Sequence, residues 1–249
     1  MATDLSQLKK ATRKAPRILV YGGEGVGKTT FACGAPDVYL MDLERGAVLN
    51  DPLMIQEPTT YTEVMDQIKA LCTQDHPYRT LVIDSLDALE TMCTAHTCKA
   101  HGWTAITEPA YGKGHGARTD ECWAPLWRAL DYLVEHQSMI IILIAHSRIV
   151  KFEDPVLPEY DMYEVNLYKT EKSKAVDWPD VVGFCNIKTY TTSDGKRNVA
   201  TTAGERVILT QKNPAYSAKT RYGMPEEMPL NWADFAQYFR TTNTKKEND

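Results

Sequence analysis

No apolar run in this chain is long enough to cross a bilayer. The longest, Met139 to Ala145, falls far short of the ~20 residues a spanning helix needs, so no membrane association is expected. A basic excess is also missing, with 28 Lys and Arg against 33 Asp and Glu and a net charge of −5. That balance excludes a surface made throughout to grip nucleic acid, but not a local basic groove. The six cysteines (Cys33, Cys72, Cys93, Cys98, Cys122 and Cys185) lack C-x-x-C pairs and regular spacing, the usage of reduced thiols in a cytoplasmic protein. In the cluster Cys93, His96, Cys98 and His101, only positions 93 and 96 share a helical face, so zinc would require the helix to break. Residues 1–14 are charged without an apolar core, so a secretory signal is not expected. Internal repeats are lacking. The 249 residues, 43% hydrophobic and 24% charged, suffice for one α/β domain with a sizeable core.

The pattern along the chain divides it into a basic arm (1–16), a domain (17–240) and a polar tail (241–249) that is expected to be disordered. Strands are expected at Arg17–Tyr21, Val38–Asp42, Thr80–Asp84 and Met139–Ala145. Helices are expected near 61–72, 86–101, 120–136 and 232–240, where apolar residues recur at helical spacing. Alternating strand and helix implies a mainly parallel sheet covered by helices. Residues 102–119 and 149–176 read as long loops. Later, Val181–Tyr190 and Asn198–Thr202 flank Ser193-Asp194-Gly195, a hairpin signal, and a further strand follows at Arg206–Gln211. These later strands are expected to be antiparallel and to extend the sheet edge.

Gly22-Gly23-Glu24-Gly25-Val26-Gly27-Lys28-Thr29 fits G-x-x-x-x-G-K-[ST] at every fixed position, with Thr30 following. Glycines let successive N–H groups curl around one anion, and the helix starting near Lys28 adds its positive dipole end. The expected ligand is ATP: Lys28 reaches its β- and γ-phosphates and the Thr29 hydroxyl takes a Mg2+ position. The context of a buried strand before and a helix after distinguishes the motif from a chance glycine-rich turn.

Carboxylates must complete such a site. Asp84 closes the apolar strand Leu81-Val82-Ile83 and is either the second magnesium residue or a cap for the next helix. Asp42-Leu43-Glu44 follows the second strand; Glu44 is the candidate general base, with Asp42 in support. His146 ends the fourth strand, where α/β folds bind ligands. There it is either a γ-phosphate sensor or a structural histidine.

Taken in order, the P-loop, Met41-Asp42-Leu43-Glu44, Leu81-Val82-Ile83-Asp84-Ser85 and Ile144-Ala145-His146-Ser147-Arg148 resemble the RecA-like ATPase core over roughly residues 17–212. The resemblance implies that Glu44 is the catalytic base. It places the γ-phosphate switch, usually a glutamine, on His146, which is a departure. Tyr111-Gly112-Lys113-Gly114 before Trp123, the Ala145-His146 pair and Ala218–Pro225 resemble small phage nucleotide-binding proteins, including the fourth Sak class of single-strand annealing proteins. That likeness implies a host cytoplasmic setting, a homo-oligomer or filament, and a single-strand-binding protein as a further partner. It implies single-stranded DNA on two loops, mapped to 104–119 and 149–176, with Lys113, His115 and Arg118 beside Tyr111 in the first. The second offers Lys151, Lys169, Lys172 and Lys174 beside Tyr163 and Tyr168, cations for phosphates and rings for bases. By analogy with related filaments, Lys219 or Arg221 would reach the neighbouring subunit's ATP site. The overall expectation is a DNA-dependent ATPase promoting annealing or strand exchange. The rivals are a P-loop small-molecule kinase, for which no arginine-dense lid segment is visible, and an ATP-dependent motor or switch acting on another partner.

Overall fold

The computed structural model describes residues 14–46, 54–155, 158–193 and 198–240. Most of the expected basic arm, the Asp194-Gly195 turn and the polar tail lie outside the described residues.

The apolar segment β1 (Arg17–Gly22) runs parallel to β5 (Ile140–Phe152) on one side and β7 (Val181–Ser193) on the other. Beyond β5 come β4 (Thr80–Asp84), β2 (Val38–Asp42) and β3 (Met54–Gln56), all parallel. Beyond β7 lie β8 (Asn198–Leu209) and β10 (Glu227–Pro229), both antiparallel. Two further strands branch off: β6 (Tyr160–Val165) on β5 and β9 (Lys219–Thr220) on β7. This mainly parallel sheet flanked by helices, with antiparallel strands added toward the C-terminus, is the α/β architecture expected from the sequence.

Alternation along the strands explains the layers. Leu19, Tyr21, Leu81, Ile83, Ile141 and Leu143 face α2 (Tyr61–Thr73), α3 (Leu86–His101) and α5 (Ala124–His136). Ile18, Val20, Leu40, Val82, Ile142 and Ile144 face α1 (Lys28–Cys33) and α7 (Trp232–Arg240), where Phe31 meets Phe235 edge-on at 5.1 Å between ring centroids. Local signals set the helix ends. Thr60 accepts from the Glu63 N–H and Ser85 from the Ala88 N–H, while Gly102 closes α3 in the left-handed region. Helix α3 is unbroken, so Cys93, His96, Cys98 and His101 stay spread around one helix. Among the described residues, no helix is long and apolar enough to cross a membrane.

The two expected loops are largely ordered structure. Residues 113–118 form α4 (Lys113–Arg118), and a π-helical turn at Thr119–Trp123 joins it to α5. Gly114 and Gly116 hide this helix from propensity rules. Its support is tertiary: Gly114 packs against the Ile106 carbonyl where a Cβ could not fit, and Arg118 is buried. Strand β5 does not stop at Ala145 but continues to Phe152 as a ribbon of mixed apolar and charged residues paired with β6. Several of its apolar side chains, Ile149, Phe152 and Tyr163 among them, are exposed, so hydrophobicity does not mark a core face there. Helix α6 (Lys169–Asp177) follows, polar except at Ala175 and Val176. The separately expected segments Asn198–Thr202 and Arg206–Gln211 merge into β8, with a register shift between Ile187 and Thr189 on its partner.

Candidate nucleotide site

The parallel register brings the candidate residues to one edge of the sheet. Gly22 pairs with His146 across β1 and β5, and Asp42 with Asp84 across β2 and β4. Gly22 also lies against β7, where a Cβ would collide with the Cys185 carbonyl. The loop then turns through Gly25 (φ 67°) and Gly27 (φ 104°), left-handed conformations that favour glycine, and α1 begins at Lys28. Val26 packs its side chain into the core and offers only its backbone to the loop.

Lys28 is buried, its ammonium donating to the carbonyls of Gly22 (3.1 Å) and Gly23 (2.7 Å). Burial pushes its pKa below the ordinary lysine value. The Thr29 hydroxyl donates to Asp84 Oδ2 at 2.6 Å. Burial raises the Asp84 pKa, with the charges of Glu44 and Asp42 adding to the effect. A buried carboxylate beside a hydroxyl is an oxygen donor set suited to a hard cation, which would offset the charge that burial disfavours. Asp84 therefore fits the magnesium role. The capping role falls to Ser85, as the sequence left open.

Glu44 is more exposed than Asp42 and Asp84, with 36% of its side chain accessible. Its N–H donates to Asp42 Oδ1 at 3.2 Å, and the Ser85 hydroxyl donates to its carboxylate. Asp42 thus fixes the backbone that presents Glu44. His146 is held twice by Asp87 of α3: its N–H donates to Oδ1 at 3.0 Å and its Nδ1 lies 2.7 Å from Oδ2. Glu44 Oε1 is 3.4 Å from the same Nδ1. The hydrogen bond to Asp87 raises the His146 pKa above 6.5, against burial and Lys28. Burial alone would raise Asp87, but the bonds from His146 hold it below the usual aspartate value. The pair therefore stabilises the fold fully below the ordinary histidine value and loses that contribution as pH climbs through the raised one; Asp87's share is lost as pH falls through its depressed value. In Asp87→Asn, the His146 midpoint should fall, as followed by NMR of the Cε1 proton. An unmoved midpoint would mean that Glu44, not Asp87, sets it.

These groups enclose a cavity of about 560 Å³ lined by Glu24, Gly25, Gly27, Lys28, Thr29, Thr30, Asp42, Glu44, Asp84 and His146. Two contributors escaped the sequence reading. Asp87 lies three residues past Asp84, a spacing that a strand-to-helix turn makes readable. Arg206, on β8, also lines the cavity, and no local motif marks it.

The expected DNA residues lie elsewhere. Arg118 is the correction: it is buried, 3.0 Å from Glu90 and 3.2 Å from Glu171. A cation so enclosed does not reach a phosphate backbone. Lys172 is half-buried in an ion pair with Glu164. Lys113, Lys169 and Lys174 are exposed, and Tyr111 is 99% exposed with φ 59°. His115 stacks on Tyr168 at 3.9 Å, joining the first segment to the start of α6. Lys219 donates to the Asp177 carbonyl and Arg221 to Asp180, both within the chain and away from the cavity lining.

A family model described as an AAA domain matches residues 14–222. No curated protein sequence matches. Among solved structures, the crystal structure of the RadB recombinase aligns over 79% of this chain and 81% of its own, at 15% identity and a TM-score of 0.44.

Proposed function

The chain belongs to the AAA domain family, and from that premise we propose that it hydrolyses ATP with magnesium and couples turnover to single-stranded DNA, promoting annealing or strand exchange. The observation that carries the hydrolytic part is the Thr29–Asp84 pair at 2.6 Å, in one cavity with Lys28, Glu44 and His146.

Each residue has a task in that reading. The backbone N–H groups of the loop and the α1 terminus cradle the phosphates. Lys28 exchanges the Gly22 and Gly23 carbonyls for phosphate oxygens. Thr29 and Asp84 would hold magnesium, which when bound would neutralise charge on the phosphate oxygens. Glu44, fixed by Ser85 and by the Asp42 contact to its backbone, accepts the proton of the attacking water. The new P–O bond forms as the bond to the bridging oxygen breaks, and ADP leaves. Asp87 engages Nδ1 of His146 and leaves Nε2 without a protein partner among the described residues, suited to sensing the γ-phosphate.

The DNA part is supported by Tyr111. A bulky residue in the left-handed region carries backbone strain, and a side chain exposed at 99% contributes nothing to the core. Its neighbours Lys113 and, across the His115–Tyr168 stack, Lys169 supply exposed positive charge. An exposed ring among cations suits base stacking with phosphate neutralisation. Lys219 or Arg221 remains the candidate for reaching a neighbouring subunit's ATP site in an oligomer or filament.

The test is ATPase rate with and without a single-stranded oligonucleotide, alongside a gel shift of the same strand. Stimulated turnover and an ATP-sensitive shift are expected. Neither shift nor stimulation would leave an ATPase acting on another partner, and phosphate transfer to a small acceptor would favour a kinase.

A further inference from the structure

We propose that Arg206 is a second phosphate ligand of this cavity, delivered by β8 of the same chain. The inference rests on the reading of the cavity as an ATP site.

Position comes first. Arg206 sits opposite Ile187 of β7, and β7 borders the P-loop strand. Its carbonyl accepts from the N–H of Leu230, the residue just after β10, at 3.0 Å, which fixes its backbone. From there the side chain crosses to the loop. A Cβ on Gly27 would stand 3.3 Å from Arg206 Nη1 and 3.4 Å from its Cδ. Gly27 immediately precedes Lys28, so the guanidinium lies against the turn whose N–H groups would wrap the anion.

Charge comes second. Arg148, on β5, pairs with Glu164, and Arg17, on β1, pairs with Asp180. The carboxylates nearest in the strands, Glu205 and Glu227, both serve Lys188. Arg206 forms no ion pair among the described residues. A cation that lines a phosphate cavity without a carboxylate partner is placed to meet an external anion. The planar fork of a guanidinium can bind two phosphate oxygens at once, whereas Lys28 acts as a point charge.

Calorimetric titration of the full chain decides the matter, with two probes: MgATP and magnesium tripolyphosphate, which lacks base and sugar. Arg206→Ala should weaken both by about tenfold, the scale of a charged hydrogen-bonded contact. Arg206→Lys should recover part of the loss in both. Wild-type affinity of Arg206→Ala for tripolyphosphate would overturn the inference; if ATP binding alone had weakened, the contact would be to base or sugar. A wild-type chain that binds neither probe would sink the ATP reading of the cavity, and the Arg206 role with it.

Discussion

Lys28→Ala should bind MgATP at least about a hundredfold more weakly, the loss expected when a charge-assisted contact from a buried ammonium to two phosphates is removed. The ammonium is buried and its pKa depressed by that burial, with two neutral carbonyls as its acceptors. Phosphate oxygens offer full counter-charge in place of those dipoles, so most of the benefit of placing a lysine here is realised on binding. The same logic predicts a split readout. The melting temperature of the chain without nucleotide should hold or rise in the variant, because a desolvated cation has been removed. The upward shift on adding ATP should disappear. Unaltered ATP affinity would remove the central claim.

Glu44→Gln should lower kcat by roughly a hundredfold to ten-thousandfold, the range for general-base catalysis, while ATP affinity stays within a few-fold. The amide keeps the shape and can still accept from the Ser85 hydroxyl, but it cannot take a proton from water. The variant should therefore accumulate bound ATP, visible as retained radiolabelled triphosphate after filtration. Normal turnover would move the base to another acid of the cavity, with Asp42 first in line because it adjoins the Glu44 backbone.

Much of this site could be read from sequence because its geometry is local. The P-loop specifies a strand, a glycine turn and a helix within a few residues, and Asp84 and Glu44 each follow a recognisable apolar strand. Parallel pairing then brings those strand ends together, as the Gly22–His146 and Asp42–Asp84 registers show. What escaped depends on distant packing. Arg206 reaches the loop only because β8 folds back beside β7, and Asp87 gains its task only once α3 lies under the end of β5. Arg118 misled for the same reason. A basic residue in a glycine-rich stretch looks solvated until Glu90 and Glu171 enclose it. In the β5–β6 ribbon, apolar residues such as Ile149 and Phe152 are exposed, so burial does not follow hydrophobicity and the pattern could not be read from sequence.

Asp87 and Glu90 lie one turn apart on α3, one gripping His146 and the other pairing with Arg118. Glu171, whose side chain is fully enclosed, completes that ionic set, and its other oxygen accepts from Thr119. The arithmetic of such a trio constrains how relatives can diverge. Losing Arg118 alone would strand two carboxylates, and losing one partner of a buried pair costs about 3–5 kcal/mol. Divergence at positions 90, 118 and 171 should therefore occur jointly, through replacement by neutral or apolar residues of similar bulk, so that the three positions vary as one unit.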